Sequence, residues 1–312
     1  MAEKSSAKGK ASGKRRAQPR QLGPGDLLKK FHLITQETDP DLQAQADKDD
    51  CMYMALVSPT LAAAAGEEIT EIPLVSDDEV MEVDYVLANL REKGKLPKKL
   101  GLALETPGGL PAPAYKIGRA LRQNFEKLTI YVPFSAYSAG TLIAVAADEI
   151  VMGQMSNLGP LDVQVPGRDG MYVSGSAFRK AVDWMEEMQK RKGGEATADA
   201  LLKWIDPIML RSFEDLQKAS EQYLREILQK ARYNSSQIQQ IVSALVWDLP
   251  THEFAIMRDR AIEMGIRVGL SEDHPEWHLM RDWVMRLAFV ASDDHILAYV
   301  LPKKRKPQAN LH

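Results

Sequence analysis

The sequence predicts an α/β fold of parallel strands joined by right-handed helical crossovers, followed by a largely helical part. Three observations carry the prediction. Short apolar runs alternate with helically spaced segments through the first half of the chain; glycine and proline mark the ends of those runs; and from about residue 177 the pattern turns almost wholly helical.

In order, residues 52–57 are a continuous apolar run and read as a buried strand, and 80–93 as an amphipathic helix. Residues 100–105 form a second strand ending at Pro107-Gly108-Gly109, and 112–124 set Tyr115, Ile117, Ala120 and Leu121 at helical spacing. A third strand over 128–132 stops at Pro133, an almost wholly apolar helix covers 139–147, and a fourth strand covers 150–152. Helical spacing then runs over 177–245, broken at Gly193-Gly194, Asp206-Pro207 and Asn234-Ser235, and a further helix covers 258–264. No internal repeat and no sustained heptad pattern is present. The expected organisation is a disordered basic tail over 1–25, an α/β core over 26–172, a helical segment over 173–248, a return to the core with a C-terminal helix over 249–300, and a basic tail over 301–312.

Composition narrows the class. With 312 residues, 45% of them hydrophobic and 27% charged, the chain is long enough for a substantial core and fits a soluble globular protein. With a net charge of only -3, nothing argues for nucleic acid as an obligatory partner. Cys51 is the one cysteine, so neither an intrachain disulfide nor a thiolate metal site is expected, and it reads as an inert core residue. No run approaches the roughly 18 apolar residues of a membrane span. The basic N-terminal stretch lacks the apolar segment that follows in a signal peptide, so a cytoplasmic location is expected.

The chemistry concentrates in two loops. In Val132-Pro133-Phe134-Ser135-Ala136-Tyr137-Ser138-Ala139-Gly140-Thr141 a strand ends, the chain turns through small residues, and a helix begins at or just after Ser138. Such a turn presents a hydroxyl at a helix N-terminus, where unpaired N–H groups favour developing negative charge. Serine is also a favoured helix cap, which is the plainer explanation of the residue. Thr106-Pro107-Gly108-Gly109 ends the preceding strand. The carboxyl ends of adjacent parallel strands share one crevice, so the two loops should meet, and paired glycines there can turn N–H groups toward a ligand oxygen. A simple Pro-Gly turn is the alternative for that loop.

These motifs, together with Ala147-Asp148-Glu149-Ile150-Val151-Met152 and Asn157-Leu158-Gly159-Pro160-Leu161-Asp162, resemble the serine dehydrogenase proteinase family. That family is related to signal peptide peptidase A and, more distantly, to the Clp protease and the crotonases. The resemblance is closest over residues 100–164, extends to 51–99 and 249–268, and is weak across the helices between. It implies a Clp protease/crotonase-like spiral of strand–helix units with a helical C-terminal part. By the same resemblance Ser138 is a nucleophile, Gly109 and Ala139 are oxyanion N–H donors, and Gly108 shapes the loop. Ala139 replaces a more usual glycine, and Val163 stands where the family usually continues with proline.

The base is open between two residues. Signal peptide peptidases pair serine with a lysine some tens of residues onward, and Lys180 is the best-placed candidate, although it also reads as an ordinary solvated helix lysine. As a base it would need a pKa well below its usual value of about 10.4. His252, in a region that in relatives returns toward the site, is the rival, with Glu253 or Asp162 to orient it. The other histidines, His295 among them, fall in polar or tail segments without metal-ligand spacing, and no metal or other cofactor is expected. The expected function is a serine endopeptidase acting on peptides or unfolded protein, assembled as a homo-oligomer whose surplus apolar surface includes Trp184, Met185, Met188, Trp204, Ile208 and Met209. The alternatives are a crotonase-like acyl-thioester enzyme and a non-catalytic peptide-binding scaffold.

Overall fold

A computed structural model of the chain describes residues 34–36, 39–60, 73–166, 172–203, 207–290 and 294–303. The N-terminal tail expected over 1–25 lies outside the described residues, as do Trp204 and most of the C-terminal tail.

The chain opens with β1 (Ile34–Gln36), α1 (Pro40–Asp49) and β2 (Met52–Val57). It continues through α2 (Asp77–Glu92), β3 (Lys99–Glu105), α3 (Pro111–Asn124), β4 (Lys127–Val132) and the short β5 (Ser135–Ala136). Next come α4 (Ala139–Ala144), β6 (Glu149–Met152), β7 (Asn157–Leu158) and the antiparallel pair β8 (Gln164–Pro166) and β9 (Tyr172–Ser174). Helices α5 (Gly175–Gln189), α6 (Glu195–Leu202), α7 (Pro207–Lys230) and α8 (Ser235–Val242) follow, the last continuing into a π-helical turn at Ser243–Trp247. The chain closes through β10 (Ile256–Met257), α9 (Arg258–Glu263), β11 (Val268–Leu270), α10 (Trp277–Ala288) and β12 (Ile296–Val300).

A seven-stranded sheet in the order β1-β12-β2-β3-β4-β6-β11 is the frame. The run β2, β3, β4, β6, β11 is parallel, as the alternation of apolar runs and helices predicts. Because side chains alternate across a strand, each strand feeds two cores. Met52, Met54, Leu56, Leu100, Leu102, Leu104, Ile130 and Val132 face one layer, which α2, α3, α4, α7 and α8 cover. Tyr53, Ala55, Val57, Ala103, Tyr131 and Val151 face the other, closed by α1 and α10 with the fully buried Trp283. Burial on both faces is why β2 reads as an unbroken apolar run. Cys51 joins this second core, and burial pushes its thiol up to about 12, the condition of an inert side chain.

The sequence pattern did not reveal β12. It runs antiparallel to β2, with Ile296 opposite Val57 and Val300 opposite Tyr53, and separates β2 from β1. Two helix boundaries also differ from expectation. Helix α2 begins earlier, because Ser76 and Glu79 form a capping box. Helix α4 ends at Ala144, after which the chain tightens: the N–H groups of Ala146 and Ala147 turn to the carbonyls of Ile143 and Ala144.

Candidate active site

Strands β3 and β4 lie side by side and parallel, so the loops leaving their carboxyl ends meet. Thr106 pairs with Ala136 in a parallel bridge, its N–H donating to Ser135 O at 3.1 Å and its carbonyl accepting from Tyr137 N at 3.1 Å. The register of the sheet thereby carries directly into the residues that precede Ser138.

Ser138 stands at the N-terminus of α4 with φ 47° and ψ -110°, a backbone conformation that costs a non-glycine residue on the order of 1–3 kcal/mol. The turn is held by the Gly140 N–H on Tyr137 O at 2.7 Å and the Leu142 N–H on Ser138 O at 3.1 Å. The Ser138 side chain makes no capping hydrogen bond. A serine retained to cap the helix would spend its hydroxyl on those N–H groups, so capping does not account for this residue.

The facing loop is shaped by its two glycines. At Gly108, with φ 116°, a Cβ would stand 3.1 Å from Ser138 Cβ; at Gly109, with φ 150°, one would overlap the Val75 backbone. Val75 forms a parallel bridge with Gly109: its N–H donates to Gly108 O and its carbonyl accepts from Leu110 N, both at 2.8 Å. Carbonyl and N–H of a trans peptide point in opposite directions. With Gly108 O turned to Val75, the Gly109 N–H is directed the other way, into the crevice. Among the described residues no backbone partner takes the N–H of Gly109 or of Ala139.

Ser138, Ala139 and Gly109 line a cavity of about 300 Å³, together with Asp162 and His252 and with apolar walls that include Leu74, Leu110, Leu142 and Leu161. The Nδ1 of His252 is buried there without a hydrogen-bond partner. Asp162 is buried, whereas Glu253 is exposed. Lys180, on α5, is exposed and lines a neighbouring cavity of about 400 Å³ with Phe213 and Trp247; its Nζ lies 3.4 Å from Pro250 O, two residues before His252. The site thus brings Ser138, Gly109, Ala139, Asp162 and His252 to one cavity, with Gly108 against Ser138 and Lys180 in the adjoining one.

Three further residues support this geometry and were not singled out from sequence. Thr141, fully buried on α4, has its hydroxyl 2.7 Å from Ala136 O and 2.8 Å from Gly159 O, and accepts the Gly159 N–H at 2.9 Å. It ties the serine turn to the Asn157–Leu158 strand and the Gly159-Pro160 loop beyond. Glu105 accepts the Ser135 N–H at 2.8 Å and the Ser135 hydroxyl at 2.7 Å; burial pushes its carboxyl up to about 7 against the pull of those bonds. His295, expected in a polar segment, is instead fully buried beside Thr106. Burial follows from β12, whose presence in the sheet the local composition did not reveal. Among the described residues no cluster of three or more His, Cys, Asp or Glu is disposed to hold a metal ion, and no helix is long and apolar enough to cross a membrane.

A parallel sheet of strand–helix units, with a helical C-terminal part and glycine and serine loops meeting at adjacent strand ends, is the architecture of the Clp protease/crotonase superfamily. Within it, the chain belongs to the family of ClpP-like SDH-type serine proteinases, which it matches over residues 68–283. It is 30% identical over 181 residues to the uncharacterized protein MJ1495 of Methanocaldococcus jannaschii, covering 58% of this chain and 56% of that one. It is 29% identical over 209 residues to the uncharacterized protein MJ0137 of the same organism, covering 67% of this chain and 66% of that one. The chain therefore spans less than two thirds of the length of either relative. Among solved structures it is similar to a 1510-N membrane-bound stomatin-specific protease in a serine-to-alanine mutant form, with TM-score 0.43 and 16% identity over 67% of this chain and 80% of that one.

Proposed function

We propose that the chain is a serine peptidase acting on peptides or unfolded protein through an acyl-enzyme on Ser138. Ser138 Oγ attacks the carbonyl carbon of the scissile bond while its proton passes to a base. The oxyanion that forms is held by the N–H groups of Gly109 and Ala139, and collapse expels the amine, which takes the proton from the base. Water, deprotonated by the same base, then releases the acyl group and regenerates the hydroxyl. The observation that carries this reading is the strained Ser138, its hydroxyl uncommitted to capping, opposite the directed Gly109 N–H. A crotonase-like acyl-thioester enzyme would use the same donors, but it has no need of a strained serine between them. A non-catalytic scaffold has no need of either.

Two side chains compete for the base. The buried, unpartnered Nδ1 of His252 in the Ser138 cavity favours His252. The spacing from the serine favours Lys180, whose contact with Pro250 O puts it against the segment that carries His252. Labelling by a fluorophosphonate and hydrolysis of a p-nitrophenyl ester test the proposal: both should vanish in Ser138→Ala, and unchanged turnover would remove the nucleophile. If His252 is the base, His252→Gln should be inactive and Lys180→Arg should keep most of the activity. If Lys180 is the base, Lys180→Arg should be inactive, since guanidinium stays charged, and His252→Gln should keep most of the activity.

A homo-oligomer is part of the same proposal. Trp184 on α5 and Ile208 on α7 are exposed, at 50% and 77%, while Met185 is buried and contributes nothing to such a surface.

A further inference from the structure

The sheet register brings a histidine from the end of the chain to the glycine loop. Ile296 is opposite Val57, and Val57 is opposite Glu105. Because β12 is antiparallel to β2, the next row of the sheet is His295, Ser58 and Thr106, all three with no exposed surface. His295 Nε2 lies 3.1 Å from Thr106 Oγ1, and its Nδ1 lies 3.3 Å from Glu79 Oε1, an ion-pair contact with a carboxylate that is itself 3% exposed. The other Glu79 oxygen takes the Ser76 N–H at 2.6 Å and the Ser76 hydroxyl at 2.8 Å. Thr106 Oγ1 in turn accepts the Gly108 N–H at 3.2 Å.

We propose that His295 is a positioning residue that holds the Gly108-Gly109 loop in its oxyanion-binding conformation by orienting the Thr106 hydroxyl, with Glu79 holding its ring in place. This rests on the reading of Gly109 as an oxyanion donor. Thr106 Oγ1 accepts the Gly108 N–H at 3.2 Å and donates to the Gly108 carbonyl at 3.3 Å, His295 Nε2 meets the same oxygen at 3.1 Å, and His295 Nδ1 stands 3.3 Å from Glu79 Oε1. Burial alone would raise the Glu79 carboxyl, yet the His295 contact and the Ser76 bonds hold it below its ordinary range, so it is the carboxylate that anchors the chain. The Gly108 carbonyl accepts both the Val75 N–H at 2.8 Å and the Thr106 hydroxyl at 3.3 Å, so Thr106 grips both backbone polar groups of Gly108. The arrangement is needed because two adjacent glycines make both loop peptides easy to turn over. Val75 pins the peptide between Gly108 and Gly109. The histidine, through Thr106, pins the one before it. His295 lies beyond residues 68–283, over which the family is matched, while Glu79 and Thr106 lie within them.

Thr106→Val keeps the shape of the side chain and removes the hydroxyl; Thr106→Ser keeps the hydroxyl. With p-nitrophenyl ester as substrate, Thr106→Val and His295→Phe should each lower kcat roughly ten- to a hundredfold, the scale of a displaced rather than a deleted donor, with KM within about twofold. Thr106→Ser should stay within about threefold of the parent on the same scale, and the Thr106→Val/His295→Phe double variant should be no slower than the slower single one. Near-parental kcat in Thr106→Val, or losses that multiply in the double variant, would overturn the inference. If His295→Phe does not fold, the Thr106 pair decides it alone. Ser138→Ala, run alongside, keeps the two readings apart: activity surviving there removes the serine peptidase, whereas activity lost there but kept in Thr106→Val removes only the role of His295.

Discussion

Glu105→Gln isolates the electrostatics of the serine turn. Glu105 is almost fully buried, and its carboxyl is moved from an ordinary value of 4.5 to about 7 by that burial, offset in part by the bonds from Ser135. At about 1.4 kcal/mol for each tenfold change in protonation, this corresponds to about 3 kcal/mol. Below pH 4.5 the folded and unfolded chains both carry the proton, and the group's contribution is intact. Between 4.5 and about 7 the unfolded chain gives the proton up while the folded chain keeps it, so stability falls as pH rises, and it levels off above 7. Glutamine has no proton to lose. Urea unfolding of parent and variant between about pH 4 and pH 8.5 should therefore show the variant gaining about 3 kcal/mol relative to the parent across that range, whatever constant offset its altered bonds to Ser135 impose. A difference that does not change with pH would refute the assignment of the titration to Glu105.

Gly109→Val should combine a clash with the Val75 backbone and the loss of an oriented N–H; where it folds, ester turnover should fall about a hundred- to a thousandfold, and a loss under about tenfold would make the loop a simple turn. Thr141→Val leaves the Gly159 N–H and the Ala136 carbonyl without their buried partner, and should lower stability by about 2–3 kcal/mol in a urea titration; a cost near zero would mean that water replaces the hydroxyl. Light scattering at micromolar concentration should find an oligomer, and Trp184→Glu should weaken it; a strict monomer in the parent removes that expectation.

What the sequence disclosed and what it hid divide along a physical line. The strands β2, β3, β4 and β6 are legible because burial on both faces demands continuous apolar runs, and the two loops because glycine, proline and serine mark places where the backbone must do something unusual. Thr141 and Glu105 were in view as residues but not as devices, since a hydroxyl that bridges two loops looks like any helix threonine. The His295 contact with Thr106 was out of reach: the partners are 189 residues apart, and only the antiparallel register of β12 brings them together. The base stays divided because the spacing along the chain points to Lys180, while what lines the Ser138 cavity is settled by a fold of loops and helices over 175–252 that periodicity describes only coarsely.

The position of β12 bears on the order in which the sheet can close. Its partner β2 lies early in the described chain, yet the strand that pairs with it on one side is residues 296–300, so nearly the whole α/β core lies between the two. Until β12 pairs, β2 presents an open row of N–H and C=O groups along an apolar strand, a surface that invites pairing with another chain. Closure of the sheet on that side is thus a long-range step, and a chain cut before residue 296 would keep the β2 edge open to pairing.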